Sequence, residues 1–198
     1  MDVVRISRGL DAEGVLEAYR QGIFPMGYSG RGLITWHRPR MRAILPLDAM
    51  HIPRSLRRLL RKAAYEVTFD REFDTVIAGC ADRDSTWITA SIRRVYNQLY
   101  NMGHAHSVEI RVDGKLAAGL YGVHIGGAFF AESKFHHVRD MSKVALVHLV
   151  RQLSARGFSL LEVQYLTAYL EQFGVIEIPH ERYMQMLAEA LARECGFA

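Results

Sequence analysis

Polar and apolar residues alternate along residues 107–112, Ser107-Val108-Glu109-Ile110-Arg111-Val112, a period of two that predicts a half-buried strand. Asp113-Gly114 follows as a two-residue turn into a second strand over residues 115–123. A further turn at Gly126-Gly127 leads to Ala128-Phe129-Phe130-Ala131, a short apolar strand that Glu132 is expected to end. Upstream, residues 10–20 read as a helix capped by Asp11, with Val15, Leu16 and Tyr19 at helical spacing. It stops at Gly22, and Pro25 prevents its continuation. Residues 34–36 and 42–45 read as short strands on either side of Pro39, and residues 70–80 and 88–102 as helices joined by a polar loop.

Downstream, residues 140–156 carry the strongest helical pattern. Leu146, Leu149, Val150 and Leu153 form its buried stripe, and Gly157 ends it. Residues 160–164 predict a strand that places Glu162 and Gln164 on one face, two positions apart. A short helix closing at Gly174, a strand over 176–178 and a last helix opened by Pro179 complete the chain. Tyr183, Leu187, Ala190 and Leu191 are expected to face inward on that helix. Strands followed by alternating helices and strands give an α+β fold, a mixed sheet flanked by helices. That order resembles the acyltransferase half of the GCN5-related N-acetyltransferase fold. Fold alone does not fix a reaction.

One helix has two distinct faces. Over residues 53–64, Leu56, Leu59, Leu60 and Ala63 make an apolar side, while Arg54, Arg57, Arg58 and Arg61 recur at i, i+3, i+4 and i+7, with Lys62 beside them. Such a row is either a solvated basic face or a surface that tracks the phosphates of a nucleic acid. The pattern does not separate these two. The chain's 198 residues, 49% hydrophobic and 23% charged, are those of an ordinary globular protein. They divide into an N-terminal region with the basic helix, residues 1–64, and an acyltransferase-like domain, residues 65–198. No apolar run at the start suits a signal peptide or a membrane span, so cytoplasmic residence is expected. The net charge of +4 permits a polyanionic partner.

Several chemistries fail on spacing. His104 and His106, and the adjacent His136 and His137, lack a third ligand at a usual zinc spacing. Cys80 and Cys195 belong to no metal pattern and read as incidental thiols. Ser107 has no nucleophile-elbow context. What remains is a carboxylate beside an amide, Glu162 and Gln164, with a further carboxylate, Glu132, near by. That combination suits making or moving an acyl group.

Six motifs stand in order along the chain: Tyr19-Arg20-Gln21-Gly22-Ile23-Phe24-Pro25, Thr86-Trp87-Ile88-Thr89, Gly103-His104-Ala105-His106-Ser107-Val108-Glu109, Gly119-Leu120-Tyr121-Gly122-Val123, Glu132-Ser133 with Phe135, and Ser142-Lys143-Val144-Ala145-Leu146. Together they resemble the bacterial leucyl/phenylalanyl-tRNA–protein transferases over about residues 19–183. The resemblance implies transfer of leucine or phenylalanine from aminoacyl-tRNA to the N-terminus of an acceptor protein. It implies an acceptor beginning with Arg or Lys, a product marked for the N-degron pathway, and no metal or nucleotide cofactor. By the same resemblance Gln164 holds the attacking amine, Glu162 orients Gln164 or stabilises positive charge on the amine, and Glu132, by its charge, suits a cationic substrate terminus or the aminoacyl α-ammonium. Trp36, Trp87 and Tyr121 are expected as rings near the cleft, able to stack on the terminal adenine. Ser133, Lys134, Phe135 and Leu146 are expected to bind substrate, and Arg54, Arg57, Arg58, Arg61 and Lys62 to bind RNA.

The chain departs from the family's pattern in a few places. Lys134 stands where the family has a methionine of the apolar donor pocket, a costly exchange unless the lysine pairs with a carboxylate or turns to water. Glu162 replaces aspartate, Tyr169 replaces histidine after Thr167, and Ala131 replaces glycine before the glutamate. Most of the N-terminal extension that precedes the Tyr19 motif in the family is expected to be absent. Two rival readings stand beside the transferase: a non-catalytic tRNA-binding or adaptor paralogue, and an acetyl-CoA-dependent acyltransferase. The second needs a glycine-rich pyrophosphate loop that Asp140-Met141-Ser142-Lys143 does not supply.

Overall fold

A computed structural model of the chain describes residues 3–28, 32–62 and 64–197. Its first elements are β1 (Val3–Ser7), α1 (Ala12–Arg20), β2 (Phe24–Tyr28), β3 (Leu33–His37), β4 (Met41–Ile44) and α2 (Arg54–Lys62). Then come β5 (Glu66–Phe69), α3 (Phe73–Ala81), α4 (Ala90–Asn101), β6 (Ala105–Val112), β7 (Lys115–Ile125) and β8 (Ala128–His136). The chain finishes with α5 (Met141–Ala155), β9 (Leu160–Gln164), α6 (Ala168–Glu171), β10 (Ile176–Pro179) and α7 (His180–Leu191). Ala63, expected on the apolar side of α2, lies outside the described residues, as do both ends of the expected domains, Met1 and Ala198.

The strands form two sheets. A small antiparallel one has the order β1-β3-β2, and a seven-stranded one the order β10-β4-β9-β8-β7-β6-β5. Every neighbouring pair of the large sheet is antiparallel except β8 and β9, so the sheet is mixed, as expected. It takes in β4 from the region before residue 64 as well as strands after it. β1, β2 and β5 are additions to the sequence reading. Pro25 is tolerated in β2 because that strand lies at a sheet edge, where a missing N–H breaks no ladder.

Alternation along the strands builds two cores. Tyr121, Val123, Phe130 and Leu160 face one layer with α1, α3, α4 and α7. Leu120, Phe129 and Leu161 face the other, where α5 presents Val144, Ala145, Leu149 and Leu153. α3 starts later than the pattern predicts because Asp70, at φ 57°, is occupied otherwise: its Oδ1 accepts from the Ser107 N–H at 2.8 Å, and its Oδ2 lies 2.7 Å from His106 Nδ1. α4 starts at Ala90, capped by Thr89.

β8 does not end at Glu132. Tyr121 pairs with Ser133 and Gly122 with Ala131, which leaves Glu132 as the extra residue of a β-bulge, and pairing resumes to His136. Gly122 allows the crowding, since a Cβ there would meet the Phe130 carbonyl oxygen at 2.4 Å. The β8–β9 pairing runs only from Ala128↔Leu160 to Phe130↔Glu162. Beyond it the two strands are joined through side chains.

Phe135 fills the space left by two glycines, Gly79 and Gly119; a Cβ on Gly119 would lie 2.6 Å from its ring and 2.9 Å from Val76. Gly119→Ala should therefore destabilise the fold by ~1–3 kcal/mol through overpacking. A urea melt of the variant checks this, and an unchanged midpoint would contradict the packing described.

Candidate active site

The bulge turns the Glu132 carboxyl into the layer of α1 and α4, where it is 8% exposed. Tyr19, from α1, donates its hydroxyl to Oε1 at 2.5 Å, and Tyr96, from α4, reaches Oε2 at 3.3 Å. The two tyrosine oxygens are 2.7 Å apart. Across the gap between β8 and β9, Gln164 donates its Nε2 to Oε1 at 3.1 Å. Burial raises the Glu132 carboxyl to about 8, the charge of Glu162 adds to the rise, and the hydrogen bonds from Tyr19, Tyr96 and Gln164 oppose it. Near neutral pH this carboxyl is thus poised to exchange a proton. Both tyrosines are pushed far above their ordinary range by burial and by Glu132, and they remain donors.

Glu162 shares a strand face with Gln164, as predicted, but its side chain goes elsewhere. It is fully buried, and its Oε1 accepts from Arg42 Nη2 at 2.7 Å. Arg42 also donates Nη1 to the Gly22 carbonyl, and its guanidinium lies 4.2 Å from the Tyr183 ring centroid. Burial raises the Glu162 pKa against the pull of Arg42, and the Gln164 backbone N–H also favours its charge. Gln164 is held at φ 66°, in the left-handed region that a glutamine seldom adopts. Glu162 thus meets Gln164 at its backbone N–H, while the Gln164 side-chain amide is bonded to Glu132.

A cavity of about 60 Å³ opens beside this cluster, lined by Leu120, Glu132, Ser133, Lys134, Leu146 and Val163, among others. Three of the expected substrate-binding residues, Ser133, Lys134 and Leu146, are thus brought together with Glu132. A wider groove of about 630 Å³ adjoins it through Lys134 and includes Arg83, His136, His137 and Tyr169. Phe135 lines this groove, although its ring is buried between Gly79 and Gly119.

The aromatic expectations need correction. Trp36 is 2% exposed, with the Arg5 guanidinium 3.9 Å from its ring centroid and its indole N–H donated to Ser7 Oγ. Tyr121 is wholly buried edge-on to Tyr96 and Phe73, because alternation along β7 sends it into the helical layer. Neither ring offers a free face to a base. Trp87 is only half-buried. Arg54, Arg57, Arg58, Arg61 and Lys62 are all exposed on α2, whose Leu56 packs in the same core as α5, away from the Glu132 cluster. Lys143, of the last of the six motifs, pairs with Asp140 Oδ1 at 2.8 Å.

Sequence reasoning missed Tyr19, Tyr96 and Arg42. Tyr19 looked like an ordinary member of a helix's buried stripe, which it also is, and Tyr96 lies in the helix expected over residues 88–102. The available signal was Arg42, a charge set directly against the apolar run Ala43-Ile44-Leu45.

Because the folded protein holds the Glu132 proton more tightly than an unfolded chain, this group's stabilisation is full below an ordinary carboxyl value of 4.5 and fades as pH rises to about 8. Glu132→Gln should flatten that slope. Melting temperatures of both proteins from about pH 5 to about pH 9 check the sign, and parallel curves would show that another group titrates.

Known proteins resemble this chain along most of its length. Residues 44–188 match the family model described as Leucyl/phenylalanyl-tRNA protein transferase, and residues 8–40 match that of its N-terminal domain. A Leucyl/phenylalanyl-tRNA–protein transferase of Salinibacter ruber is 55% identical over 89% of this chain and 78% of its own length. One from Gloeobacter violaceus is 47% identical over 95% of this chain and 97% of its own. Among solved structures, FemX shares the fold at a TM-score of 0.50 and 11% identity, over 79% of this chain and 61% of its own. A GCN5-related N-acetyltransferase from Kribbella flavida aligns at a TM-score of 0.46 and 15% identity, over 82% of this chain and 58% of its own. The mixed sheet flanked by helices is the architecture that this chain shares with FemX. With matches of this extent on top of the Glu132–Gln164 cluster, the chain belongs to the leucyl/phenylalanyl-tRNA–protein transferase family.

Proposed function

We propose that this protein transfers leucine or phenylalanine from the 3′ end of an aminoacyl-tRNA to the N-terminal amine of an acceptor protein. The observation that carries the reading is the 3.1 Å bond from Gln164 to a buried carboxyl that titrates at about 8, at the mouth of a cavity with apolar walls. With its Nε2 committed to Glu132, Gln164 is left with its carbonyl oxygen to accept from an amine N–H.

The reaction is aminolysis of an ester. The acceptor nitrogen attacks the ester carbonyl, a C–N bond forms, the bond to the terminal ribose oxygen breaks, and the amine's proton ends on that oxygen or in water. Holding the two reactants in register can supply about 7–11 kcal/mol of the barrier. An N-terminal amine titrates near ~7.7–8.0. Glu132, at about 8, matches it, so proton exchange between the two is nearly balanced. Glu132 also attracts an ammonium before the proton moves. Gln164 aims the lone pair. Glu162, neutralised by Arg42, holds Gln164 in its strained backbone conformation.

The cavity walls of Leu120, Leu146, Val163 and Leu170 suit the carried side chain, and the groove with Arg83, His136 and His137 suits the terminal nucleotides. The exposed arginines of α2 would meet phosphates farther along the tRNA. An acceptor beginning with Arg or Lys, and degradation of the product by the N-degron pathway, belong to the same proposal, as does cytoplasmic residence. Among the described residues no helix is long and apolar enough to cross a membrane. Acetyl-CoA suits the site poorly, because Asp140 places a carboxylate at the start of α5, where a pyrophosphate would need N–H donors.

A panel of purified aminoacyl-tRNAs against peptides beginning with Lys, Arg, Asp or Met tests donor, acceptor and catalysis together. Transfer of leucine or phenylalanine to the basic peptides is expected; tRNA binding with no transfer of any donor would favour the adaptor. Gln164→Ala should lower transfer ~10²-fold or more, on the scale of a lost positioning or proton-handling group. Its tRNA affinity should stay within about twofold, since it touches no phosphate. Equal loss of both would assign Gln164 to binding or folding.

A further inference from the structure

Lys134 and Tyr169, two positions where the chain departs from the pattern of its family, meet. The Lys134 ammonium lies 4.6 Å from the Tyr169 ring centroid. Among the described residues no carboxylate is within ion-pair distance of it, so the ring is its compensation for leaving water. Tyr169 is itself held, stacked edge-on against Phe173 at 5.5 Å, with its hydroxyl 3.4 Å from Ser142 Oγ. Lys134 lines both the small cavity and the wider groove, so its methylene stem forms the partition between them.

We propose that Lys134 and Tyr169 together gate the donor cavity and make this enzyme favour leucine over phenylalanine. This rests on the transferase reading above. The cavity holds about 60 Å³. An apolar cavity that takes a benzene ring is nearer ~150 Å³, so a phenyl group enters only if a wall retreats. Leu120, Leu146 and Leu170 are core residues, at most 7% exposed, and cannot move without disturbing the layer under α5. Lys134 can, because its unbranched stem ends at the groove and swings outward on its own torsions. Doing so takes the ammonium off the Tyr169 face. A leucyl side chain demands a smaller retreat than a phenyl ring. The pair thus charges the larger donor more than the smaller one, and removing either partner relaxes the same barrier.

Two adenosines carrying leucine or phenylalanine through an amide at the 3′ position cannot be transferred, and their binding reads the gate directly. Titration calorimetry on the wild-type chain should give at least ~10-fold tighter binding of the leucyl compound, the scale of size discrimination in an apolar pocket. Lys134→Ala, Lys134→Met and Tyr169→Leu should each bring the ratio to within about threefold, and the double variant Lys134→Ala/Tyr169→Leu should go no further, because both act on one contact. A ratio equal in all proteins, a wild-type preference for the phenylalanyl compound, or effects that multiply in the double variant would each overturn the gate. Transfer from leucyl-tRNA and phenylalanyl-tRNA is measured alongside. Transfer with an unmoved ratio rejects the gate and keeps the transferase; a shifted binding ratio with no transfer by the wild type keeps the gate and rejects the transferase. Binding of neither compound to any protein rejects both.

Discussion

Arg42 and Glu162 form a fully buried ion pair on which the site is built. The guanidinium takes the Gly22 carbonyl at the end of α1, the Glu162 carboxylate on β9 and the face of Tyr183 on α7, while its own backbone lies in β4. Taking two charges out of water is expensive, and such a pair is seldom a net source of stability; breaking it by removing one partner typically costs ~3–5 kcal/mol. What it supplies here is position. It ties β9 to β4, accepts from the backbone N–H of the left-handed Gln164, and sets a charge whose repulsion helps to raise Glu132.

From that anchor the chemistry follows by electrostatics. Glu132 sits on a bulge, where the extra residue points away from the ladder and into a layer of tyrosines. Burial drives its pKa up, and three hydrogen bonds stop the rise near the value of the amine it is proposed to serve. Matching of this kind removes the need for a strong base. In the proposed reaction it also suits an amide at Gln164, which cannot take the proton but can accept from an amine N–H.

The same economy governs the donor cavity. Its permanent walls are branched aliphatic residues shared with the core under α5, so their positions are set by the stability of the fold. The wall proposed to move is a lysine whose charge is accommodated on an aromatic ring instead of on a carboxylate. A charged residue at the edge of an apolar pocket is compatible with the proposed donor site, because its ammonium is placed on the Tyr169 ring.

Much of the fold was legible in the chain itself. The hairpins of β6, β7 and β8, the α5 stripe and the β9 strand come from periodicity and turn chemistry that act over a few residues, and the six motifs carried the family. The pairing of Glu162 and Gln164 on one face was likewise a local property of a strand. The Tyr19–Tyr96–Glu132 cluster was not, since its members lie 77 and 36 residues apart and only the stacking of α1 and α4 on the sheet joins them. Nor was the burial of Trp36 and Tyr121, or the meeting of Lys134 with Tyr169, for a side chain's type does not say what will cover it. Local patterns fixed which elements form because backbone geometry depends on near neighbours. Protonation, strain and pocket size were decided by the tertiary structure, because they depend on which distant groups exclude water from the same small volume.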